Sequence, residues 1–405
     1  MEKLTAEFTK SMRKTHTIYM PQMLHYHNEL LCAAFAYGGY HLEVVPEHQE
    51  FIKETCSSIG KDYCTCAFGI VGNIMTFVKE QGCNTDNIAF LEPQAGGACR
   101  AGNYYNLIIE CLKKMDCGHI PVLSLNFQGK ETHEGFTINP KMFFGAVAAV
   151  CYGDILMTIA QQVRPYEVNP GETEALRMKW VSKLSEDIAH GKNVYKRKKI
   201  YREIAESFSA ISVDKTRKKT KVGIVGEIYI KFSPVGNFHL EDFLYDNNCD
   251  IRQGGFLNYC SYVVLSEEKT SSLNGKNPLY IEACRKVLDY FCRIQKEFNE
   301  VITEFGYKCD MPFKEMEKAK GNILSDHYNI GDGWLMAGEI IDLAKQGYDK
   351  IMIVHPFGCL VSHVGGRGVI KELKKMLPGT KITSVEFDID QAKTLRESRI
   401  LMAIV

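Results

Sequence analysis

Residues 221–230 have the sequence KVGIVGEIYI, an apolar run that is rich in β-branched residues and free of proline. Runs of this kind are typical of strands buried on both faces of a parallel sheet. Further strands are predicted at residues 250–256, 350–354 and 382–387, and helices at residues 280–305, 334–345 and 367–376. This alternation predicts a doubly wound, mainly parallel sheet with helices on both faces.

The first third of the chain shows the same alternation. Strands are predicted at residues 17–20, 41–45, 87–91 and 120–125, and helices at residues 25–37, 69–80 and 104–114. Residues 139–218 have helical patterns throughout, interrupted at Pro170-Gly171. The sequence therefore predicts an α/β protein with two doubly wound domains, residues 1–138 and 219–405, joined by a helical segment at 139–218. A ligand site is expected in a crevice beyond the carboxyl ends of the strands.

The charge balance excludes some classes of partner. The chain has 405 residues, with 49 lysine and arginine residues against 49 aspartate and glutamate residues. Without a net positive charge, neither nucleic acid nor an anionic membrane surface is an expected partner. Residues 142–160 are apolar, but Asp154 among them would cost roughly 3 kcal/mol within a bilayer. We interpret this segment as a buried helix of a soluble protein.

Cysteine is unusually abundant, with 15 residues. The count is odd and the chain begins without an apolar secretory segment, which favours free thiols in a reducing, cytoplasmic setting. Three thiols lie in loops next to predicted elements: Cys99 and Cys359 follow strands, and Cys64 precedes a helix. Cys99 and Cys359 lie in glycine-containing loops beyond strand ends, and at Cys64 the start of the following helix stabilises a thiolate. These three are the candidate metal ligands.

Three loop thiols suit a soft metal site, either an iron–sulfur cluster or zinc, and buried cysteines with packing roles are the alternative. The sequence contains no Cys-x-x-Cys pair and no ferredoxin-type run. Cys66 is a candidate additional ligand. His355 and His363 flank Cys359, and together with Arg100 they are the candidate catalytic residues, with ordinary loop roles as the alternative. No familiar nucleotide-binding motif occurs, so an ATP-dependent step would need another chain.

Several motifs occur in the order found in one known family. They are Tyr19-Met-Pro-Gln, Gly60-Lys-Asp-Tyr-Cys64, Gly96-Gly-Ala-Cys99-Arg-Ala-Gly-Asn-Tyr, Asp154 with Arg164-Pro-Tyr-Glu167, Gly226-Glu-Ile-Tyr, and Pro356-Phe-Gly-Cys359. With these motifs the chain resembles the activase-related proteins of the 2-hydroxyacyl-CoA dehydratase system. Such proteins occur free-standing or as the C-terminal region of long chains that begin with an ATP-binding activator module. The resemblance spans about residues 16–370 and departs at Cys66, where relatives more often have proline.

The resemblance implies a [4Fe–4S] cluster, or a larger double-cubane cluster, held between two α/β domains by Cys64, Cys99 and Cys359. It also implies a partner, an ATP-dependent activator of actin-like ATPase fold that delivers single electrons at very low potential. The expected function is an oxygen-sensitive iron–sulfur reductase, or a dehydratase-like enzyme, that acts on a small molecule or an acyl-CoA. The alternatives are a non-catalytic electron relay, a cluster carrier or assembly partner, and a zinc-stabilised binding module. A homodimer is compatible with each.

Overall fold

The computed structural model describes residues 5–47, 63–82, 84–93, 99–125, 132–389 and 391–405. Cys56, Cys83 and the glycine-rich residues just before Cys99 lie outside the described residues. The strands are β1 (Thr17–Met20), β2 (His41–Val44), β3 (Ile88–Pro93), β4 (Val122–Leu125), β5 (Thr220–Gly226), β6 (Cys249–Gln253), β7 (Lys350–Pro356) and β8 (Lys381–Phe387).

Helices connect and cover these strands. In chain order they are α1 (Asn28–Tyr37), α2 (Thr65–Gln81), α3 (Tyr104–Lys114), α4 (Pro140–Val163), α5 (Glu172–Ala189), α6 (Arg197–Ser209), α7 (Ile228–Phe232), α8 (Pro234–Asn237), α9 (Leu240–Asp246), α10 (Phe256–Leu273), α11 (Pro278–Glu304), α12 (Phe313–Ala319), α13 (Leu335–Lys345), α14 (Leu360–Gly365), α15 (Ile370–Met376) and α16 (Lys393–Ile404). Short 3₁₀ helices lie at Met12–Lys14, Arg100–Asn103, Arg164–Tyr166 and Arg367–Val369.

The described strands form two four-stranded sheets, ordered β2-β1-β3-β4 and β6-β5-β7-β8, and the paired strands are parallel throughout. The predicted fold class, two doubly wound parallel sheets, is confirmed. In each sheet the chain first adds a strand on one side and then crosses to the other side. A switch point therefore lies between β1 and β3, and another between β5 and β7. Ligand crevices in such sheets open at the switch point, beyond the carboxyl ends of the strands.

The strand predicted at residues 221–230 is wrong in its second half. β5 ends at Gly226, whose φ is 150°, and a Cβ atom there would collide with the carbonyl oxygen of Val354. The side chain of Glu227 then accepts a hydrogen bond from the Ile230 N–H and caps α7. The close approach of two strands at a glycine thus ends β5 early and places Glu227 at the carboxyl end of the second sheet.

The long apolar segment is a buried helix, as interpreted. Residues Pro140–Tyr166 form the one helix among those described that is long and apolar enough to cross a membrane, and 83% of its most apolar window is buried inside the protein. Asp154 on α4 is buried, contacts His27 Nε2, and accepts hydrogen bonds from the backbone N–H groups of Phe256 and Leu257. The carboxylate that would oppose a membrane span therefore caps the start of α10.

The start of α2, in the N-terminal half of the chain, packs against the second sheet. Thr65 Oγ1 donates a hydrogen bond of 2.8 Å to the carbonyl oxygen of Phe387, the last residue of β8. One turn further along, Gly69 lies so close to the ring of Tyr229 that a Cβ atom would collide with the ring. Residues of both sheets contribute to the hydrophobic core beneath these contacts. The first turn of α2 therefore lies against the carboxyl edge of the second sheet.

Candidate functional site

The three candidate thiols share one local structure. Cys64 immediately precedes α2, Cys99 precedes the 3₁₀ helix that leads into α3, and Cys359 precedes α14. Each has an extended backbone at the N-cap position. At Cys359 the sulfur accepts a hydrogen bond of 3.5 Å from the Ser362 N–H. Each thiol therefore lies where backbone N–H groups without helical partners favour a negative charge.

The topology explains how these thiols come to lie at the carboxyl edges of the sheets. Cys99 follows β3 and Cys359 follows β7, the inner strands that border the two switch points. Cys64 is the N-cap residue of α2, which lies between β2 and β3 in the chain. Since a helix in a doubly wound fold begins at the carboxyl edge of its sheet, all three positions suit a ligand crevice.

The pKa values of the thiols reveal a shared electrostatic neighbourhood. Burial, with smaller contributions from the charges of Glu227, Cys359 and Cys64, raises the pKa of Cys99 to about 12. Burial and the charges of Glu227 and Asp332 raise the pKa of Cys359 to about 11. Glu227 also acts on the pKa of Cys64. The structure thus brings Cys99 within electrostatic range of both other thiols, and Glu227 is common to all three.

Cys64 and Cys66 form a hydrogen-bonded pair at the start of α2. The pKa of Cys64 is lowered to about 6, first because the Cys66 thiol donates to it and then because the Tyr104 hydroxyl and the Ala67 N–H donate as well, against the opposing effect of burial. The Tyr104 oxygen lies 2.7 Å from Cys64 Sγ. Burial raises the pKa of Cys66 well above its usual value. Cys66 Sγ also lies 3.2 Å from Glu227 Oε2, so its single proton serves either the Cys64 sulfur or this carboxylate.

Acidic side chains lie behind the thiols, and one lysine accompanies them. Asp332 is 4% exposed, and its pKa is raised well above the usual range by burial and then by the charge of Glu227. Lys231 Nζ lies 2.9 Å and 3.1 Å from the two carboxylate oxygens of Glu339, and both side chains are buried. No role is predicted for Glu227 from the sequence, although the motif Gly226-Glu-Ile-Tyr contains it. An acidic residue directly after a buried strand is the signal that could have identified it.

The two histidines that flank Cys359 in sequence contact each other and the end of β8. The His355 and His363 ring centroids are 5.3 Å apart, and His363 Nε2 lies 3.1 Å from Glu386 Oε1. His355 is fully buried, its Nε2 lies 2.6 Å from Ser384 Oγ, and burial lowers its pKa. Among the described residues, the one group of three potential ligand atoms within 4.8 Å of one another is His355, His363 and Glu386.

Arg100, the third candidate catalytic residue, lies directly after Cys99 in the 3₁₀ helix, and it is exposed. Arg100 is therefore a surface residue next to Cys99 in the chain.

No protein-family model, curated protein or solved structure matches this chain. The site is therefore interpreted from its own geometry and donor chemistry. Three thiols at helix starts, with a fourth thiol beside one of them, form a donor set that suits a soft metal.

Proposed function

We propose that this chain is an iron–sulfur protein that accepts low-potential electrons from an ATP-dependent activator and uses them to reduce or dehydrate a small molecule. The observation that supports this proposal is the electrostatic grouping of Cys64, Cys99 and Cys359, each at the start of a separate helix and each influenced by Glu227. Thiolates are the usual protein ligands of iron–sulfur clusters, and helix N-termini stabilise them.

A cluster fits this donor set better than a single zinc ion. The ligands of one tetrahedral ion converge on a point, but the described cysteines do not form a group of three with ligand atoms within 4.8 Å. In a cluster each thiolate binds a different iron, so the sulfur atoms surround a larger object. Thiols on three separate segments are consistent with that arrangement.

The surroundings favour a low reduction potential. Reduction adds a negative charge to a buried site, and the acidic groups of Glu227 and Asp332, whose pKa values are raised by burial, lie close to the thiols. Lys231, on the helix that Glu227 caps, is a buried cation and is paired with Glu339. Burial makes an added charge unfavourable, so the electron donor must be strongly reducing. This is the physical reason for a partner that couples electron delivery to ATP hydrolysis.

An iron–sulfur cluster bound here would supply one-electron chemistry and, at an iron without a protein ligand, a Lewis acid for a substrate oxygen. The chain itself would hold the cluster through Cys64, Cys99 and Cys359, with Cys66 as a proton donor or a fourth ligand. Next to Cys359, the apolar side chains of Phe357 and Leu360 are 61% and 58% exposed. Exposed apolar surface beside a ligand suits the docking of an electron-donating partner. We expect the protein to work in the reducing cytoplasm.

The experiment is purification under nitrogen with quantification of iron and acid-labile sulfide, followed by electron paramagnetic resonance after reduction. Cys64→Ala, Cys99→Ala and Cys359→Ala should each abolish most of the bound iron. Cys292→Ala is the matched control, because Cys292 packs beside a hydrophobic cluster on α11 and should leave the iron content unchanged. Colourless, iron-free wild-type protein after strictly anaerobic purification would overturn the proposal.

Catalysis is tested separately from cluster binding. With an activator of this class, ATP and a strong reductant, the protein should turn over small unsaturated or acyl-CoA test substrates. A cluster that is reduced by the activator without any turnover would identify an electron relay. A cluster that transfers intact to an apoprotein would identify a carrier.

A further inference from the structure

A second candidate metal site lies at the carboxyl end of the second sheet. His355 on β7 and Glu386 on β8 are directly paired in the parallel register, so their side chains leave the sheet on the same face. His363 on α14 packs against the same two residues, and its Nε2 lies 3.1 Å from Glu386 Oε1. Three separate elements therefore contribute two imidazoles and one carboxylate, with ligand atoms within 4.8 Å of one another.

The spacing suits one cation shared by these groups. Two ligands that are each about 2.0–2.1 Å from a tetrahedral ion lie roughly 3.3 Å from each other. The 3.1 Å separation of His363 Nε2 and Glu386 Oε1 is close to that value, so an ion could replace their hydrogen bond without a backbone shift. Metal-binding histidines usually donate their second ring N–H to a carbonyl or carboxylate. His355 has this arrangement, since its Nδ1 lies 3.1 Å from the carbonyl oxygen of Pro356.

The site is accessible from solvent, and two neighbouring groups compete with an ion for its ligand atoms. The side chains of His363 and Glu386 are 38% and 21% exposed, so an ion from solvent reaches the site. Arg367 Nη1 lies 3.3 Å from Glu386 Oε1, and Ser384 Oγ lies 2.6 Å from His355 Nε2. Both groups occupy ligand atoms that an ion would need. A guanidinium that is 54% exposed and a serine hydroxyl can each rotate away.

We propose that His355, His363 and Glu386 form a binding site for a divalent transition-metal ion. Its ligands do not include the cysteines, and it does not depend on the proposed iron–sulfur function. Two imidazoles and one carboxylate with open positions are the donor set of zinc and of non-haem iron(II) sites that also bind water or a substrate. The site lies at the carboxyl edge of the sheet that carries Cys359.

The test uses Co²⁺ as a spectroscopic probe with the full-length protein, followed by competition with Zn²⁺. A site made of nitrogen and oxygen ligands gives Co²⁺ visible absorption without sulfur-to-metal charge transfer, whereas the cysteines would give a charge-transfer band. We expect each chain to bind one Co²⁺ whose visible spectrum lacks a sulfur charge-transfer band. Zn²⁺ should displace this ion, because zinc binds such sites more tightly. His363→Ala and Glu386→Gln, both at partly exposed positions, should each weaken this binding by at least about tenfold.

His41→Ala is the matched control, because His41 Nε2 and Glu43 Oε1 form an exposed pair at 3.0 Å for which no third ligand is described nearby. This variant should bind Co²⁺ as the wild type does. Arg367→Ala should bind Co²⁺ at least as tightly, because it removes a competing cation from Glu386. Three results would each overturn the proposal: no Co²⁺ bound, equal affinity in His363→Ala and Glu386→Gln, or absorption that consists of sulfur charge transfer alone.

Discussion

Cys64 and Cys359 occupy the same position relative to a helix, yet their pKa values move in opposite directions. Both are N-cap residues with an extended backbone. The pKa of Cys64 is lowered to about 6, whereas that of Cys359 is raised to about 11. Burial acts against the thiolate at both sites. A helix N-terminus alone is therefore not sufficient to produce a thiolate in this protein.

The two pKa values differ because the two sulfur atoms accept different hydrogen bonds. Cys64 accepts from a thiol, a phenol and a backbone N–H, which together outweigh its burial. Cys359 has Ser362 as its donor and faces the carboxyl groups of Glu227 and Asp332. The helices also differ, since α2 has 17 residues and α14 has six residues. Direct hydrogen bonds to the charged form decide the outcome more strongly than the helix dipole does.

The two thiols should give the free energy of unfolding opposite pH dependences in iron-free protein. The folded pKa of Cys64 is about 6, below its ordinary 9.0, so its stabilisation is complete above pH 9 and is lost as the pH falls toward 6. The folded pKa of Cys359 is about 11, so its stabilisation is complete below pH 9 and is lost as the pH rises toward 11. In denaturant unfolding, Cys64→Ala should remove a slope of up to about 1.4 kcal/mol per pH unit between pH 6 and 9.

Cys359→Ala is the control for this measurement. It should leave the slope between pH 6 and 9 unchanged and reduce the loss of stability between pH 9 and 11. Identical slopes for wild type and Cys64→Ala in the lower range would show that Cys64 is an ordinary thiol.

The next largest effect concerns the donor that most strongly lowers the pKa of Cys64. Cys66→Ala should raise that pKa by about 1 to 2, because a hydrogen bond to a charged group contributes about 1.5–3 kcal/mol. Thiolate absorbance during a pH titration, with Cys64→Ala as the baseline, measures the change. Cys66→Ser keeps a donor at the same place and should restore most of the low pKa. If Cys66→Ala leaves the titration unchanged, the Cys66 proton belongs to Glu227 instead.

The sequence pattern was sufficient for those parts of the molecule that depend on local signals. Helix α3 begins and ends where predicted, at Tyr104 and Lys114, because a clear apolar stripe follows the Asn103 loop. The parallel sheets also follow from local pattern, whereas the helix predicted at residues 69–80 begins earlier, at Thr65. No helix is predicted at the position of α10, because its apolar residues do not form one clear stripe.

The partners of the site residues could not be predicted in the same way. Glu227 reaches the thiols because β5 ends at Gly226 against Val354, a contact between neighbouring strands. Glu386 reaches the histidines because β7 and β8 pair in one register, with His355 opposite Glu386. A shift of one residue would turn Glu386 to the other face. Register and strand ends are set by tertiary packing, so the sequence shows the thiols and histidines but not the carboxylates that accompany them.

Tyr104→Phe should have a smaller effect than Cys64→Ala or Cys66→Ala. It tests whether the hydrogen-bond donors to Cys64 act additively. It removes one hydroxyl 2.7 Å from the sulfur but leaves the Cys66 thiol and the Ala67 N–H in place, so the pKa of Cys64 should rise by less than in Cys66→Ala. Tyr307→Phe, whose hydroxyl contacts Ser209, should not change this titration. In the double variant Cys66→Ala/Tyr104→Phe, the rise in the pKa of Cys64 can be compared with the sum of the rises in the two single variants. A larger rise than this sum would show that the donors cooperate, as expected when hydrogen bonds share a buried charge. Additive changes would mean that each donor stabilises the thiolate independently, and the contrast with Cys359 would then be a matter of donor number alone.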